Sequence, residues 1–440
     1  MIVRARTVVT MDGAPIEDGA VRIRGNHIVE AGTFSDLEKS PTFSGGQENE
    51  NNGEAIIDLG ESVLLPGLIN AHCHLDYTCL RRKIQRSSSF TEWIRAINSE
   101  KRKLTAEDYL RSISAGFSEA QRFGTTSVIS LEAFPELIAR LEPSPIRTWW
   151  CAELIDVTTP GEGDEIVCGA VAGLKAVRND HAGFGLAPHA LFTASAGLYR
   201  ACAEVAVHEK FLLTTHLAES GEEMEMFLTR SGPLFDFLRS IGRSEDDCGG
   251  KTPLAVFLDK LRCRPAQESS TGISLGDSSA GWIIAHLNEL AETDFDLLSA
   301  LPEKFSIAHC PRSHAYFGHK PFEFPQLDAM GFNICLGTDS LASNEDLSLF
   351  HEMREFRRLH PDLTPERILE MATVNPAKAL GVGERLGRLR SGYEADMIAI
   401  PFRSGDPYKQ IFDFEGDVPW MMVAGKVAKF SRFPLSFSQN

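Results

Sequence analysis

Apolar and polar positions alternate with a period of two at both ends of this chain and fall into mixed blocks between them. The opening runs "IVRARTVVTM" and "AVRIRGNHIVEAG" read as half-buried strands, punctuated by turn residues Gly13, Gly19 and Gly25. The closing runs "RLGRLRSGYEADMIAIP" and "PWMMVAGKVAKFS" repeat that texture, so the two ends are expected to pair into one small β-sandwich. Between them lie eight short β-type runs: Val63–Asn70, Thr125–Ser130, Arg147–Leu154, Gly183–Pro188, Phe211–Thr215, Trp282–Ala285, Phe305–Ala308 and Asn333–Leu336. Helical patterns such as "AEDYLRSISAGFSEAQRF" separate them. Strand then helix, repeated eight times, predicts an α/β fold of the (β/α)8 TIM-barrel type. The expected organisation is a first sandwich part at 1–62, a catalytic barrel at 63–382 and a second sandwich part at 383–440. Polar residues 41–55 read as an exposed loop, and 242–280, rich in Gly, Ser and Asp, as an elaborated loop before the sixth strand.

Composition narrows the class. With 440 residues and 43% hydrophobic content the chain has enough apolar mass for a large core. Its net charge of -17 and the lack of a long basic run argue against a nucleic-acid partner. Nine cysteines without a CxxC pair are neither a disulfide framework nor a thiolate zinc cluster. No leader-like start and no 18-residue apolar stretch occur, so a cytoplasmic protein without a membrane partner is expected.

The chemistry lies where the β-type runs end. In "LLPGLINAHCHLDYT", His72 and His74 stand two apart, a spacing that aims both imidazoles to one side of a strand and leaves Cys73 facing away. Taken alone, the pair is as well read as two surface histidines. But "FLLTTHLAES" ends at His216, "WIIAHLNEL" at His286, "FSIAHCPRSH" at His309 and "NICLGTDS" at Asp339. Five runs thus end in His or Asp, and in such a barrel all strands end at one rim, where the active site is built.

Together "PGLINAHCHL", "THLAES", "IAHLNEL", "AHCPRSH", "LGTDS", "TVNPAKALG" and "GRLRSGYEADMIAI" resemble the metal-dependent amidohydrolase superfamily, in its cytosine deaminase/chlorohydrolase-like branch of purine and triazine aminohydrolases. The resemblance implies His72, His74, His216 and Asp339 as ligands of one divalent ion, with Zn2+ favoured on ligand chemistry over Fe2+ or Mn2+. The fourth run, "FGLAPHALF", has no lysine to bridge a second ion. It further implies that Asp339 takes the proton of an ion-activated water, His286 orients that water and Glu219 shuttles protons to a ring nitrogen and the departing ammonia. His189 and Trp93 match family positions that contact substrate; each also has a plain structural reading.

Within the branch, "HLAESGEEMEMFLTRSGPLFDFL" is most similar to the aminodeoxyfutalosine deaminase group. Where much of the branch reads "HCPxSN", this chain has "HCPRSHAYFGHKPF", which makes His314 either a substrate-binding group or a loop residue, and leaves His309 and His319 without a role. Three functions follow from these readings. The first is an aminohydrolase acting on an adenine-like nucleoside or related amino-heterocycle. The second is a chlorohydrolase or amidohydrolase acting on a triazine or another C–N or C–Cl bond. The third is a catalytically silent metal-binding paralogue. The resemblance also implies a homodimer with a small-molecule substrate.

Overall fold

The computed structural model describes residues 1–40, 54–159, 161–177, 182–262 and 281–429. The expected loop at 41–55, apart from its last two residues, and the 263–280 part of the expected insertion lie outside them. The chain opens with β1 (Ile2–Val8), β2 (Ile16–Arg24), β3 (His27–Thr33), β4 (Ile56–Asp58) and β5 (Ser62–Pro66). Nine parallel segments follow: β6 (Leu68–His74), β7 (Thr125–Glu132), β8 (Arg147–Leu154), β9 (Phe184–Pro188), β10 (Leu212–Leu217), β11 (Trp282–His286), β12 (Ser306–His309), β13 (Asn333–Leu336) and β14 (Asp339–Ser340). The described chain ends with β15 (Met397–Pro401), β16 (Trp420–Val423) and β17 (Lys426–Val427).

The nine segments make eight barrel strands. Each of β6 to β12 pairs with the next, and β14 pairs back onto β6, Asp339 opposite Cys73. β13 and β14 are two halves of one strand. Across the break, Gly337 N–H donates to the His309 carbonyl (2.9 Å) and Thr338 N–H to the His72 carbonyl (3.0 Å), so the ladder passes from β12 to β6 and the cylinder closes. Only glycine fits the seam: a Cβ on Gly337 would lie 2.8 Å from the Cβ and carbonyl oxygen of His72. Gly337→Ala is therefore expected to cost about 1–3 kcal/mol, as other overpacked sites do, and to displace His72. A thermal melt and a metal assay on the purified variant check both effects.

Strand parity divides the barrel into two shells. Ile69, Ile129, Leu131, Cys151, Ala187, Leu212, Ile283, Ala308 and Cys335 form one apolar cluster, one or two from each strand, which fills the cylinder. Their neighbours Val128, Trp150, Leu186, Leu213, Ile284, Ile307 and Ile334 face the helices. The helix expected from "AEDYLRSISAGFSEAQRF" spans Ala106–Arg122, opened by a Thr105/Asp108 capping box.

Four expectations need correction. The run Val63–Asn70 is two strands: 62–66 belongs to the end sheet, pairing with β1 and β15, and only 68 onward enters the barrel. Pro66 has no N–H to continue a ladder, and Gly67 packs so closely that a Cβ would overlap the Thr126 side chain. The end structure is one continuous sheet, β17-β16-β15-β5-β1-β2-β3, mostly antiparallel and curled over its own core of Val3, Val21, Ile23, Leu64, Met397 and Met422. Gly19 lies inside β2, not in a turn, because a Cβ there would strike Val8. Within the expected loop 242–280, Pro253–Arg262 is a helix with Leu254, Phe257 and Leu258 buried. A buried ion-paired cluster, Arg147 of β8 with Glu394 and Asp396, ties the barrel to the end sheet.

Candidate active site

β6, β10 and β14 bring their terminal side chains together at the barrel's C-terminal rim. His74 Nε2 lies 3.3 Å from His216 Nε2, and Asp339 Oδ1 lies 3.7 Å from His72 Nε2 and 3.9 Å from His74 Nε2. The ligand atoms of His72, His74 and His216 all lie within 4.8 Å of one another, as do those of His72, His286 and Asp339. Burial, with the neighbouring imidazoles, lowers the His74 pKa to about 3, and burial then His72 lowers that of His216. These rings are neutral near pH 7 and have lone pairs to give.

The site fits a divalent cation on two further observations. Both ring nitrogens of buried His72 lack a hydrogen-bond partner among the described residues. His216 Nδ1 lies 2.8 Å from the His189 carbonyl, which fixes the N–H there and leaves Nε2 for a metal. Burial alone would raise the Asp339 pKa, but the neighbouring imidazoles of His72, His286 and His74 outweigh it and hold the carboxyl well below its usual range. Its oxygens accept from Ser313 Oγ (2.6 Å), Ser343 Oγ (2.9 Å) and Ser340 N–H (2.7 Å).

Backbone strain gathers at this rim. Ala218, His286, Leu287 and Asp339 all have positive φ, at 50°, 72°, 51° and 57°. Such conformations cost of order 1–3 kcal/mol each for non-glycine residues. Cross-strand bonds hold them: Leu287 N–H donates to Leu217 (3.0 Å), and Asn288 and Glu289 N–H both donate to the Ala218 carbonyl (2.9 Å each). Glu223, at the start of the next helix, accepts from Ala218 and Glu219 N–H and so shapes the turn that carries Glu219.

That turn sends Glu219 back over the site, its Oε1 3.7 Å from His286 Nε2. Burial first, then the charges of Asp339 and Glu223, pushes the Glu219 pKa well above the usual carboxyl range. Burial likewise holds His286 well below the usual imidazole value. A carboxyl with a raised pKa and an imidazole with a lowered one thus stand beside a carboxyl held low.

These groups open into a cavity of about 270 Å³ lined by His74, His189, His216, Glu219, His286 and Asp339 and walled by Phe90, Trp93, Ile94, Phe192 and Phe237. The helix Phe90–Lys101 supplies one wall, and Glu222 pins its start by accepting from the N–H groups of Phe90 and Thr91. His189 lines the cavity, with Nδ1 2.6 Å from Thr193 Oγ1.

His314 does not line the cavity; it packs on His309 and lies 3.1 Å from Asn288 Oδ1. His309, counted among the converging strand ends, faces the helix layer, its ring stacked on Phe322 at 4.0 Å. It shares the outward parity of Ile307. The reading of the sequence missed Glu153, buried in the cavity wall with Oε1 3.8 Å from His74 Nδ1 and without a hydrogen-bond partner among the described residues. Its signal was present: in "RTWWCAEL", 149, 151 and 153 share one parity, so an acid closes the interior face of the third strand.

The fold is a (β/α)8 barrel whose C-terminal rim carries His and Asp groups that could hold a metal ion. A model of the Amidohydrolase family matches residues 63–428, and the chain belongs to that family. It is 28% identical over 404 residues to a 5-methylthioadenosine/S-adenosylhomocysteine deaminase from Syntrophobacter fumaroxidans, covering 89% of this chain and 82% of that protein. Among solved structures it resembles Helicobacter pylori aminofutalosine deaminase in complex with methylthio-coformycin, with a TM-score of 0.81, 21% identity, and 97% and 99% of the two chains covered. It also resembles a zinc-bound adenosine deaminase from Xanthomonas campestris, with a TM-score of 0.76, 23% identity, and 97% and 92% covered. No helix among the described residues is long and apolar enough to cross a membrane.

Proposed function

We propose that this protein removes the exocyclic amine of an adenine-like nucleoside by hydrolysis, releasing ammonia. The observation that carries the reading is Glu219: a buried carboxyl 3.7 Å from His286 and over the histidine cluster, its pKa pushed well above the usual carboxyl range by burial. Amidine hydrolysis needs a proton delivered to the ring nitrogen so that the adjacent carbon accepts an oxygen nucleophile, and a protonated acid at neutral pH is the group for that task. The curated relative named for deaminating 5-methylthioadenosine and S-adenosylhomocysteine points to the same chemistry.

His72, His74, His216 and Asp339 would hold the metal, which when bound lowers the pKa of a water from 15.7 to about 7. Asp339, ionised and fixed by two serine hydroxyls, receives the water's proton. His286 orients the water, Glu219 protonates the ring nitrogen, and a proton then passes to the departing amine so that it leaves as ammonia. His189, Trp93 and Phe192 hold the flat heterocycle by apolar and edge contacts. We assign His314 no substrate contact and give it the support of Asn288.

A single zinc ion is the best fit. Glu153, His189 and His216 form another close group, yet His216 has Nδ1 on a carbonyl and Nε2 beside His74, leaving no second lone pair to share. Among the described residues we divide the chain into end-sheet parts at 1–66 and 383–429 and a catalytic barrel at 68–382. The eight described cysteines are all free, which supports a reducing, cytoplasmic setting. The expected homodimer rests on the family resemblance and is read by sedimentation.

The test is ammonia release from adenosine, 5′-methylthioadenosine, guanine and amino-triazines, with protein of measured metal content, before and after chelation. Release from the adenine nucleosides that stops on chelation supports the reading. Chloride from a chlorotriazine with no ammonia from any purine would replace it with the chlorohydrolase alternative.

A further inference from the structure

Resting on the aminohydrolase reading, we propose that His314 is a positioning residue for Glu219: acting through Asn288, it sets where the acid stands relative to Asp339. His314 does not line the cavity, so it works at one remove from the chemistry.

The contacts form a short chain. His314 Nδ1 lies 3.1 Å from Asn288 Oδ1, and Asn288 Nδ2 donates to the Glu219 carbonyl at 3.1 Å. Because the Asn288 amide gives its N–H to Glu219, its oxygen is left to face His314, and the imidazole is the donor there. Glu219 and Asn288 each follow left-handed backbone, Ala218 on one side and His286 with Leu287 on the other. Main-chain bonds join the two turns as far as Ala218, whose carbonyl accepts from Asn288 N–H at 2.9 Å. The Asn288 side chain carries the tie one residue further, to Glu219 itself. An Asn288 amide turned the other way would set oxygen against the Glu219 carbonyl, so the donor that fixes the amide also fixes the acid.

The residue before His314 reaches the other proton-handling group. Ser313 Oγ donates to Asp339 Oδ2 at 2.6 Å, so two consecutive residues of the helix Pro311–Phe317 hold Asp339 directly and Glu219 through Asn288. That helix is itself anchored: Arg312 N–H donates to Glu352 (2.9 Å), which also accepts from Asn344 (2.7 Å). The fixed step between Ser313 and His314 thereby becomes a fixed separation between Asp339 and Glu219. Packing alone does not ask for histidine here. The ring is buried against His309 and His319, with His309 stacked on Phe322, and an apolar side chain would bury as well in that layer. A buried imidazole costs free energy unless its polar atoms are paired. What histidine adds at this point is a donor for Asn288.

The test measures kcat, KM, metal content and thermal melts with adenosine and 5′-methylthioadenosine as substrates. The variants are His314→Leu, His314→Asn, Glu219→Gln, and His314→Leu combined with Glu219→Gln. His314→Leu is expected to lower kcat by ~10–100-fold, the usual cost of losing a group that orients a reacting one, while KM and metal content stay near those of the parent. His314→Asn, whose side-chain nitrogen stands at the same remove from the backbone as Nδ1, should recover most of that loss. In the Glu219→Gln background the leucine should slow turnover no further, because residues that act as one unit are not additive. If His314→Leu does not fold, Asn288→Ala is put through the same comparison. Parental kcat in His314→Leu, an equal loss in His314→Asn, or a loss that multiplies with that of Glu219→Gln overturns the positioning role and leaves the deaminase reading standing. Ammonia from neither nucleoside with the intact, metal-loaded protein overturns the deaminase reading and this inference with it.

Discussion

Replacing Glu219 by glutamine is expected to lower kcat by ~10²–10⁴-fold, the usual range for a positioned proton donor, while metal content stays at the wild-type level. Glutamine keeps the shape and removes only the transferable proton, and Glu219 is outside both close His/Asp ligand groups at the barrel rim. The pH dependence gives a second readout. Burial, then Asp339 and Glu223, raises the Glu219 pKa, so its acid form is present below that raised value and lost above it. kcat/KM should fall on the alkaline side, and the variant should lack that limb. Stability has the same sign. Between the unfolded carboxyl value of about 4.3 and the raised folded value, the unfolded chain gives up its proton first, so rising pH weakens the fold. Glu219→Gln should therefore melt higher than the parent at pH 8. Turnover within tenfold of the parent would remove Glu219 from the scheme.

Asp339→Asn is expected to fail differently, losing both metal and turnover. On the proposed reading the carboxylate has two tasks, as an anionic ligand beside His72 and His74 and as the acceptor of the water's proton. Asparagine fills the same space and can accept from one serine, but it carries no charge and takes no proton. A fall in kcat of at least ~10²-fold is expected from the lost base, together with metal loss on dialysis that His74→Ala should share. Elemental analysis beside steady-state kinetics separates the two variants: metal kept with Glu219→Gln, lost with Asp339→Asn. Full metal occupancy and full rate in Asp339→Asn would sink the assignment.

Sequence reading succeeded where the information is local and failed where parity, closure or packing decides. Strands Arg147–Leu154 and Asn333–Leu336 lie where their β-type patterns placed them. β10, β11 and β12 run on through His216, His286 and His309, one or two residues beyond the expected ends. The role of His309 stayed open because a run ending in histidine looks the same whichever face the last residue takes, and only pairing with β11 and β13 gives it the outward parity of Ile307. Glu153 passed unnoticed because one acid at a strand end is common, and it becomes notable only when its oxygen is found buried and unpaired beside His74. Val63–Asn70 reads as one apolar run because both the end sheet and the barrel bury it, and a Pro-Gly step is a weak local signal for a change of sheet.

The sequence alone determined the eight-fold alternation and the His- and Asp-bearing strand ends, because side-chain period and strand termini are set by near neighbours in the chain. Tertiary structure alone decided that Asp339 meets His72 across 266 residues of intervening chain, that burial raises the Glu219 pKa, and that Lys101 faces a cavity. Closure of the cylinder and exclusion of water belong to the whole packed fold, and no short stretch of residues encodes them.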